Sequence, residues 1–325
     1  GLIFIGPTVH AIEMMGDKIT SKKIAQEAGV SVVPGSKGAI SDIQKAKAEC
    51  IKIGYPVMVK ASSGGGGKGM RVVEREEDLE LSMQAAMNEA RSSFGDDRVF
   101  IEKFVQQQRH IEIQIIADAY GNVIFLGERE CSIQRRHQKV IEEAPSCLLS
   151  QETRKAMGQQ AISLAKAVNY RSAGTVEFIV GADEDFYFLE MNTRLQVEHP
   201  VTELVYNVDL VSLMIKIAAG EKLGIKQSDI KADGWAIEAR VYAEDSTRGF
   251  LPSIGQLVEY KEPSLEKIRI DSGVQEGNHI TMFYDPMVAK IISYGTDRTE
   301  GIANLSKALN HYKISGVETN IQFLS

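Results

Sequence analysis

The sequence predicts an α+β protein in which a smaller lobe precedes a larger domain built mainly on antiparallel strands. Capped amphipathic helical segments alternate with short apolar strands over roughly the first hundred residues. From residue 110 onward, strand-like runs follow one another across short turns, as antiparallel pairs do. The 325 residues are 43% hydrophobic and 25% charged, which is typical of a globular chain with more than one domain.

The N-terminal segment is predicted to hold a strand and two helices. Residues 1–6 resemble a buried strand already under way, so we expect that a preceding part of a domain has been removed. A first short helix should end near Gly16. Asp17 is a suitable N-cap for a second helix, and Gly29 is a suitable residue to close it.

The following segment is predicted to be a small lobe of mixed structure. Ser41 and Gln44 fit a capping box, in which two side chains satisfy the free amides of a helix start. The expected elements are a helix over 41–54, a strand over 55–60, a loop over 62–69, a strand over 70–73, a helix over 76–91 and a strand over 99–102.

The remainder of the chain is predicted to be richer in strands. A turn over 120–122 joins the two strands of a hairpin, because apolar and polar residues alternate on both sides of it. The expected elements are strands over 110–118 and 123–130, a helix over 151–169, strands over 174–180 and 186–191, a helix over 208–219, a strand over 235–243 and a helix near 299–311.

Composition argues against several classes of protein. The net charge of −7 disfavours a nucleic-acid binder, which usually presents a basic surface. The three cysteines include no Cys-x-x-Cys pair, so the sequence shows neither a disulfide framework nor a zinc motif, and it fits a reducing compartment. No apolar run approaches the roughly 20 residues of a membrane span, so no membrane partner is expected.

A run of glycines between the strands at 55–60 and 70–73 is the first candidate site. Bare glycines let backbone N–H groups approach phosphate oxygens closely. A strand rather than a helix follows, which disfavours a dinucleotide fold and favours a flap over phosphates. A flexible surface turn is the alternative. The residues concerned are Gly64, Gly65, Gly66 and Gly67, flanked by Lys60 and Lys68.

Two glutamates inside apolar strands form the second candidate. If Gly181 pairs with Phe186 across a four-residue loop, Glu177 lies directly opposite Glu190. Facing carboxylates are destabilising unless a cation lies between them, so we expect Mg²⁺ or Mn²⁺ there. Asn192 lies on the same face as Glu190 and could add a ligand oxygen. A solvated outer face of the hairpin is the alternative.

Two further stretches are rich in charged residues. Arg194 and Glu198 are four apart, so they would pair if the segment were helical, or else clamp an anion and act as a base. Arg240 lies mid-strand and should pair with a carboxylate or an anion. The stretch 128–139 favours a polyanionic substrate, with a solvated loop or an RNA patch as alternatives; its cations are Arg129, Arg135, Arg136 and Lys139.

Taken together, these motifs resemble the biotin carboxylase component of biotin-dependent carboxylases, which are ATP-grasp enzymes. The tail over 284–298 resembles the acyl-CoA carboxylases, most closely the propionyl-CoA branch. The stretches that show the resemblance are Met15–Lys18, Lys60–Arg71, Glu128–Lys139, Glu190–Pro200 and Arg240–Asp245.

The resemblance implies an ATP-grasp fold in three parts. Residues 1–31 would be the remnant of an N-terminal Rossmann-like domain and its helical connector. Residues 32–102 would be the ATP-grasp lid, and 103–325 would be the large domain with the biotin carboxylase C-terminal region.

The resemblance also assigns roles to single residues. The catalytic residues would be Glu198, which takes the bicarbonate proton, with Arg194, Lys139 and Arg240. ATP would be bound by Lys18, Lys60, Gly64, Gly65, Gly66, Gly67, Glu102, Lys103, Val105, His110, Gln134 and His137. Bicarbonate or biotin would be bound by Lys139, Arg194, Gln196, Val197 and Arg240. The metal, Mg²⁺ or Mn²⁺, would be bound by Glu177, Glu190 and Asn192.

The implied reaction consumes ATP and bicarbonate, passes through carboxyphosphate and carboxylates biotin as a substrate on a carrier domain. The implied partners are that biotin carrier domain, a carboxyltransferase subunit and further copies of the chain, in bacterial cytoplasm or the mitochondrial matrix. Two alternatives remain at this point. One is another ATP-grasp ligase of the carbamoyl-phosphate synthetase type, and the other is an ATP-binding fragment without catalysis.

Overall fold

The structure is a computed structural model that describes residues 1–62 and 69–325. These residues form two units, and the predicted mixture of helices with mainly antiparallel strands is confirmed. Unit 1 comprises Gly1–Phe125, Leu149–Arg194 and Ile217–Lys222. Unit 2 comprises Leu126–Leu148, Leu195–Lys216 and Leu223–Ser325. The glycines Gly64, Gly65, Gly66 and Gly67 lie outside the described residues, and the domain boundaries after residues 31 and 102 stay predictions.

The helices begin and end close to the predicted positions. Asp17 accepts a hydrogen bond from the Thr20 amide at the start of the second helix, as predicted. The α-helices are α1 Val9–Gly16, α2 Lys18–Glu27, α3 Ile43–Ile53, α4 Leu79–Phe94, α5 Gln151–Ala167, α6 His199–Tyr206, α7 Leu210–Ala218, α8 Arg298–His311 and α9 Ile321–Leu324.

The strands include every strand predicted from residue 55 onward. The strand over 138–144 was not predicted, whereas the tail over 254–325 was expected to mix strands, of unstated bounds, with its helix. The strands are β1 Val57–Ala61, β2 Met70–Val73, β3 Val99–Lys103, β4 Arg109–Ala117, β5 Val123–Arg135, β6 Gln138–Ala144, β7 Ser172–Val180, β8 Phe186–Asn192, β9 Trp235–Tyr242, β10 Glu244–Asp245, β11 Leu251–Pro252, β12 Gly255–Gln256, β13 Glu259–Lys261, β14 Ile268–Ser272, β15 His279–Ile280, β16 Met287–Gly295 and β17 Lys313–Ser315.

Two local predictions for unit 1 are wrong. Residues 1–6 pair with no strand among the described residues, and Leu2 and Phe4 are exposed. A strand needs a neighbour for its backbone N–H and C=O groups, and the described chain offers these residues none. The N-cap of α3 is Asp42 rather than Ser41, because the Asp42 carboxylate accepts the Lys45 amide at 2.8 Å.

A small antiparallel sheet in unit 1 has the strand order β2–β1–β3. Helix α4 packs on β1 and β2, while α3 packs on β3. Val57, Val59 and Ile101 from the sheet and Leu79 from α4 are fully buried in the common core. This packing fixes the ends of β1 and β3, where Lys60 and Glu102 lie.

A second antiparallel set of strands in unit 1 has the order β4–β7–β8. Its register places Glu112 of β4 opposite Glu177 of β7, and Glu177 opposite Glu190 of β8. The turn after β4 is closed by the Asp118 carboxylate, which accepts the amides of Tyr120 and Asn122. Three carboxylates from neighbouring strands are thus aligned in one row.

The β7–β8 hairpin reaches the predicted glutamate pair by a different register. Val180, not Gly181, pairs with Phe186, so the predicted pairing beside the turn is wrong by one residue. A β-bulge then leaves Leu189 without a cross-strand partner and brings Glu177 opposite Glu190. The predicted opposition of the two glutamates is therefore confirmed, although it depends on a bulge that the sequence did not reveal.

In unit 2 the long strands follow the order β14–β16–β9–β6–β5. Helix α8 covers one face of β9 and β16, where Ile237, Val241, Ile291 and Leu309 form the core. Helix α6 packs against β9 and β6, and the side chains of β9 alternate between the two faces. The residues Glu238 and Arg240 therefore lie on the face opposite the α8 core.

The search for membrane-spanning segments gave a negative result. Among the helices of the described residues, none is both long enough and apolar enough to cross a bilayer.

Candidate functional site

The row of carboxylates on β4, β7 and β8 is the first candidate site, and it lies within unit 1. Glu112 is fully buried and Glu177 is 4% exposed, while Glu190 is partly buried. Sequence analysis missed Glu112, although its position among the isoleucines of an alternating strand was a usable signal. Buried carboxylates on adjacent strands repel one another, so the row favours a cation.

Two side chains contact the central carboxylate of this row. His110 Nε2 lies 2.9 Å from Glu177 Oε2, and Asn192 Nδ2 donates to Glu177 Oε1 at 2.8 Å. Arg194 donates to Asn192 Oδ1 at 3.3 Å. Asn192 thus turns its amide nitrogen toward Glu177, and its predicted role as an oxygen ligand stays a prediction.

The donor set fits a small divalent cation. One ligand atom from each of His110, Glu112 and Glu177 lies within 4.8 Å of the other two. Glu190 adds a further carboxylate to the row. Carboxylate oxygens are the ligands that Mg²⁺ and Mn²⁺ prefer. The metal roles predicted for Glu177 and Glu190 remain predictions that this chemistry supports.

A buried carboxylate between two lysines is the second feature of unit 1. Glu102 lies 2.5 Å from Lys22 Nζ and 2.7 Å from Lys60 Nζ. Burial alone would raise the pKa of Glu102, but the two ammonium groups outweigh it and lower that pKa. The Lys22 contact was not predicted, and it ties α2 to β3.

Three other residues expected at the ATP site also lie in unit 1. Lys18 is exposed on the first turn of α2. Lys103 donates its ammonium group to the carbonyl of Gly54 at 2.9 Å, which closes the end of α3. Val105 is buried in a small cluster with Val33 and Ile179. The nucleotide contacts expected of these residues stay predictions.

The remaining residues expected to contact ATP, Gln134 and His137, belong to unit 2. Gln134 donates to the Cys131 carbonyl at 2.7 Å. His137 is exposed in the two-residue turn between β5 and β6, where Arg136 and His137 have positive φ values. Their roles toward a nucleotide also stay predictions.

The second candidate site, in unit 2, is centred on the carboxylate of Glu198. This residue is 2% exposed, and its two oxygens contact Lys139 Nζ at 2.7 Å and an Arg240 amine at 2.9 Å. Arg240 Nε also donates to Glu142 at 2.6 Å. The predicted pairing of Arg240 with a carboxylate is confirmed, and Lys139 and Arg240 meet at one buried carboxylate.

The carboxylates around Arg240 favour its charged form. Burial alone would lower the pKa of Arg240, but the nearby carboxylates of Glu142 and Glu198 outweigh it and raise that pKa. Helix α6 begins only at His199, so the alternative of an Arg194–Glu198 pair on one helix face is wrong.

Buried cations position the segment that precedes Glu198. Arg129 is fully buried and donates to Gln196 Oε1 and Thr202 Oγ1, both at 2.9 Å. Lys290 Nζ donates to the Val197 carbonyl at 2.6 Å. These contacts fix the side chain of Gln196 and the backbone of Val197, two residues expected in the bicarbonate pocket.

The stretch 128–139 does not form a single basic surface among the described residues. Arg129 points into the core, while Arg135 pairs with Glu244 at 2.5 Å and lies over the ring of Phe250. Lys139 contacts Glu198 instead. The cations of this stretch therefore have separate partners, and a polyanionic substrate for them stays a prediction.

Comparisons with known proteins agree across the chain. The family model "Carbamoyl-phosphate synthase L chain, ATP binding domain" matches residues 17–226, and "Biotin carboxylase C-terminal domain" matches residues 238–325. The propionyl-CoA carboxylase alpha chain of Ruegeria pomeroyi is 56% identical over the whole chain, and the human mitochondrial form is 56% identical over 99% of it. The chain spans 51% and 45% of these two relatives, which is about half their length.

A solved structure also covers the whole chain. The biotin carboxylase domain of Hydrogenobacter thermophilus 2-oxoglutarate carboxylase, in complex with MgADP, ADP and bicarbonate, is 47% identical. The TM-score is 0.92, and the match covers 100% of this chain and 72% of that one.

Proposed function

The chain belongs to the biotin carboxylases of the ATP-grasp ligases, and from this premise we propose that it carboxylates biotin at the expense of ATP. Bicarbonate attacks the γ-phosphorus of ATP and releases ADP, which gives carboxyphosphate. Carboxyphosphate breaks down to CO₂ and phosphate. The ureido nitrogen of biotin gives its proton to the released phosphate and bonds to the carbon of CO₂.

The observation on which this proposal depends is the buried ion cluster around Glu198. Bicarbonate is an anion that must lose a proton to become a good nucleophile toward phosphorus. Lys139 and Arg240 supply cations, and Glu198, which contacts both, supplies the carboxylate that would accept the proton. A cation pair around a buried carboxylate base thus fits the binding and activation of a small protonated anion.

The residues of unit 1 fit the nucleotide half of the reaction. Lys60 places an ammonium group beside Glu102 at the end of the small sheet, where it can meet phosphate oxygens. Glu177 and Glu190, with Glu112 in the same row, would hold Mg²⁺. When bound, Mg²⁺ neutralises phosphate charge in phosphoryl transfer.

Arg194 extends this row through its contact with Asn192. As an exposed guanidinium group it can orient an anion by two parallel hydrogen bonds.

The relatives indicate the wider setting of this activity. Both compared full-length relatives are named propionyl-CoA carboxylase alpha chains, one bacterial and one mitochondrial. We propose that the biotin belongs to a carrier domain and that a carboxyltransferase subunit passes the carboxyl group to an acyl-CoA, with propionyl-CoA as the substrate. The compartment would be the bacterial cytoplasm or the mitochondrial matrix, and the assembly would contain several copies of the chain.

The first test is ADP release by the intact protein with Mg²⁺ and bicarbonate, with and without free biotin. Biotin-stimulated, bicarbonate-dependent ADP release is the expected result. Product that requires ammonia would instead indicate the carbamoyl-phosphate synthetase type of ligase. Thermal stabilisation by ATP without turnover would contradict the catalytic proposal.

A residue-level control makes the assay specific. Glu198→Gln should remove bicarbonate-dependent turnover, because the amide cannot accept the proton. Glu259→Gln is the matched control, since Glu259 forms an ion pair with the surface residue Lys261 and should leave turnover unchanged. Equal activity in both variants would refute the role of Glu198 as the base.

A further inference from the structure

A second pair of glutamates adjoins the Glu198–Arg240 cluster. The register of β6 and β9 places Glu142 directly opposite Glu238, and both side chains are fully buried. Directly opposed residues of an antiparallel pair have Cβ atoms about 5 Å apart. Arg240 lies two residues beyond Glu238, so it shares the same face of the sheet.

The hydrogen bonds of this pair are unequal. Glu142 Oε1 accepts from Arg240 Nε at 2.6 Å and from an Arg240 amine at 2.5 Å. Glu142 Oε2 and both oxygens of Glu238 have no hydrogen-bond partner among the described residues. Two ionised carboxylates in this position would be costly, because buried charges require partners and like charges repel.

We propose that Glu238 is a positioning residue for the proposed biotin carboxylase reaction. Its carboxyl group keeps a proton and donates a hydrogen bond to Glu142 Oε2. This hydrogen bond would satisfy the free oxygen of Glu142 and one oxygen of Glu238. It would hold Glu142 against Arg240, and Arg240 in turn contacts Glu198. The inference rests on the proposed function, but the protonation of Glu238 can be tested without it.

The direction of the titration agrees with this geometry. Burial raises the pKa of both Glu142 and Glu238. The charge of Glu142 raises the pKa of Glu238 further, whereas the Arg240 guanidinium group opposes the rise at Glu142. Because the guanidinium group of Arg240 donates to Glu142 and not to Glu238, the shared proton belongs on Glu238.

The proton on Glu238 affects the balance of charge around the Glu198–Arg240 cluster. Ionisation of Glu238 would add one negative charge to a cluster that already holds Glu142 and Glu198, and would weaken the attraction of Arg240 and Lys290 for an anionic substrate. The flanking helix and strand add groups of both signs, His199 and Glu203 on α6 and the Arg269–Asp271 pair on β14. The charged groups nearest the pair are Arg240, Lys139, Lys290 and Glu198, and Lys290 also lies 3.4 Å from Asp271.

The proton can be observed directly by infrared spectroscopy. A protonated buried carboxyl group has a C=O stretch that is separate from that of carboxylates. We expect this band in the intact protein at neutral pH, and we expect Glu238→Gln to remove it. Absence of the band, or a band that persists in Glu238→Gln, would overturn the proposal whether or not the protein carboxylates biotin.

Kinetics with two variants separate positioning from mere packing. Glu238→Ala deletes the donor to Glu142, so we expect kcat/KM for bicarbonate to fall about tenfold, as for a lost hydrogen bond to a charged group. Glu238→Gln keeps a donor and should regain most of that loss. If alanine and glutamine variants behave alike, the proposed hydrogen bond is refuted.

The pH profile supplies a readout that packing would not move. In the parent, ionisation of Glu238 at alkaline pH should lower kcat/KM for bicarbonate, whereas Glu238→Gln has no proton to lose there. The ratio of variant to parent activity at each pH cancels the titration of bicarbonate itself. A constant ratio across the alkaline range would contradict the proposal. If Glu238→Ala fails to fold, the infrared and pH comparisons with Glu238→Gln still decide it.

Discussion

Replacing Glu102 by glutamine tests the contact that joins α2 to the small sheet of unit 1. The carboxylate accepts from Lys22 and Lys60 at 2.5 and 2.7 Å, and its side chain is 7% exposed. Glutamine has nearly the same shape but no charge. The substitution therefore removes both ion pairs and leaves the two ammonium groups facing a neutral amide.

The expected loss of stability follows from burial. Breaking a buried ion pair by neutralising one partner costs about 3–5 kcal/mol. The side chains of Lys22 and Lys60 keep 27% and 19% exposure, so water can partly solvate them after the change. We therefore expect the low end, about 3 kcal/mol, which corresponds to roughly 6–12 °C in the unfolding midpoint of a domain of 150–250 residues.

The pH dependence gives a second signature of Glu102. Its pKa is lower in the folded protein than its ordinary value of 4.5, so its stabilisation is present above that value. Stabilisation is lost as the pH falls below 4.5 through the lowered pKa. The difference in midpoint between parent and Glu102→Gln should therefore shrink on acidification. It should stay constant between about pH 6 and pH 8, which lies roughly two units or more above the ordinary pKa.

Thermal unfolding of the intact protein, followed by circular dichroism, is the assay. Glu77→Gln is the matched control, because Glu77 contacts Arg75 at the surface with 66% exposure and should change stability by less than about 0.5 kcal/mol. A change below about 1 kcal/mol in Glu102→Gln, or equal changes in both variants, would refute the reasoning.

Two further variants test the carboxylate row of unit 1, and a third tests the packing of β5 against α6. Glu190→Gln removes one carboxylate charge from the row in unit 1, so we expect metal-dependent turnover to be abolished with an unchanged unfolding midpoint; turnover near that of the parent in a Mg²⁺ titration would contradict this. Arg194→Ala should lower kcat by about 10²–10³, as for loss of one stabilising donor, whereas a steady-state effect on KM alone would indicate binding only. Gly127→Ala should lower the free energy of unfolding in urea by about 3 kcal/mol, because φ is +63° and a Cβ would lie 1.7 Å from Tyr206 Oη; a loss below about 1 kcal/mol would argue against this steric account.

Much of the local structure could be predicted from the sequence because its signals are local. Asp17 caps α2 and Tyr120–Asn122 closes a turn through contacts only a few residues apart in sequence. Arg240 was expected to find a carboxylate because a cation in the middle of an apolar strand needs a partner. Sequence alone could not identify which carboxylates would meet it.

The rest depends on contacts between residues far apart in the chain. Glu112 joins Glu177 only through the pairing of β4 with β7, and Lys22 reaches Glu102 across 80 residues of sequence. Glu238 gave no signal at all, because one glutamate in a strand reads the same whether its partner is water or another carboxyl group. The fit of residues 1–6 to a strand pattern failed for the same reason, since a strand exists only with a neighbour.

Because of the bulge at Leu189, adding or removing a single residue in β8 decides which residue lies opposite Glu177. Continuing the pairing of Val180 with Phe186 without a bulge would set Glu177 against Leu189 and turn Glu190 to the opposite face. Deleting Leu189 alone would straighten β8 and still leave the glutamates opposed. Transplanting this pair onto another hairpin therefore requires either keeping the bulge or deleting Leu189. The seven-residue β8 paired without a bulge would point the Glu190 carboxylate away from Glu177.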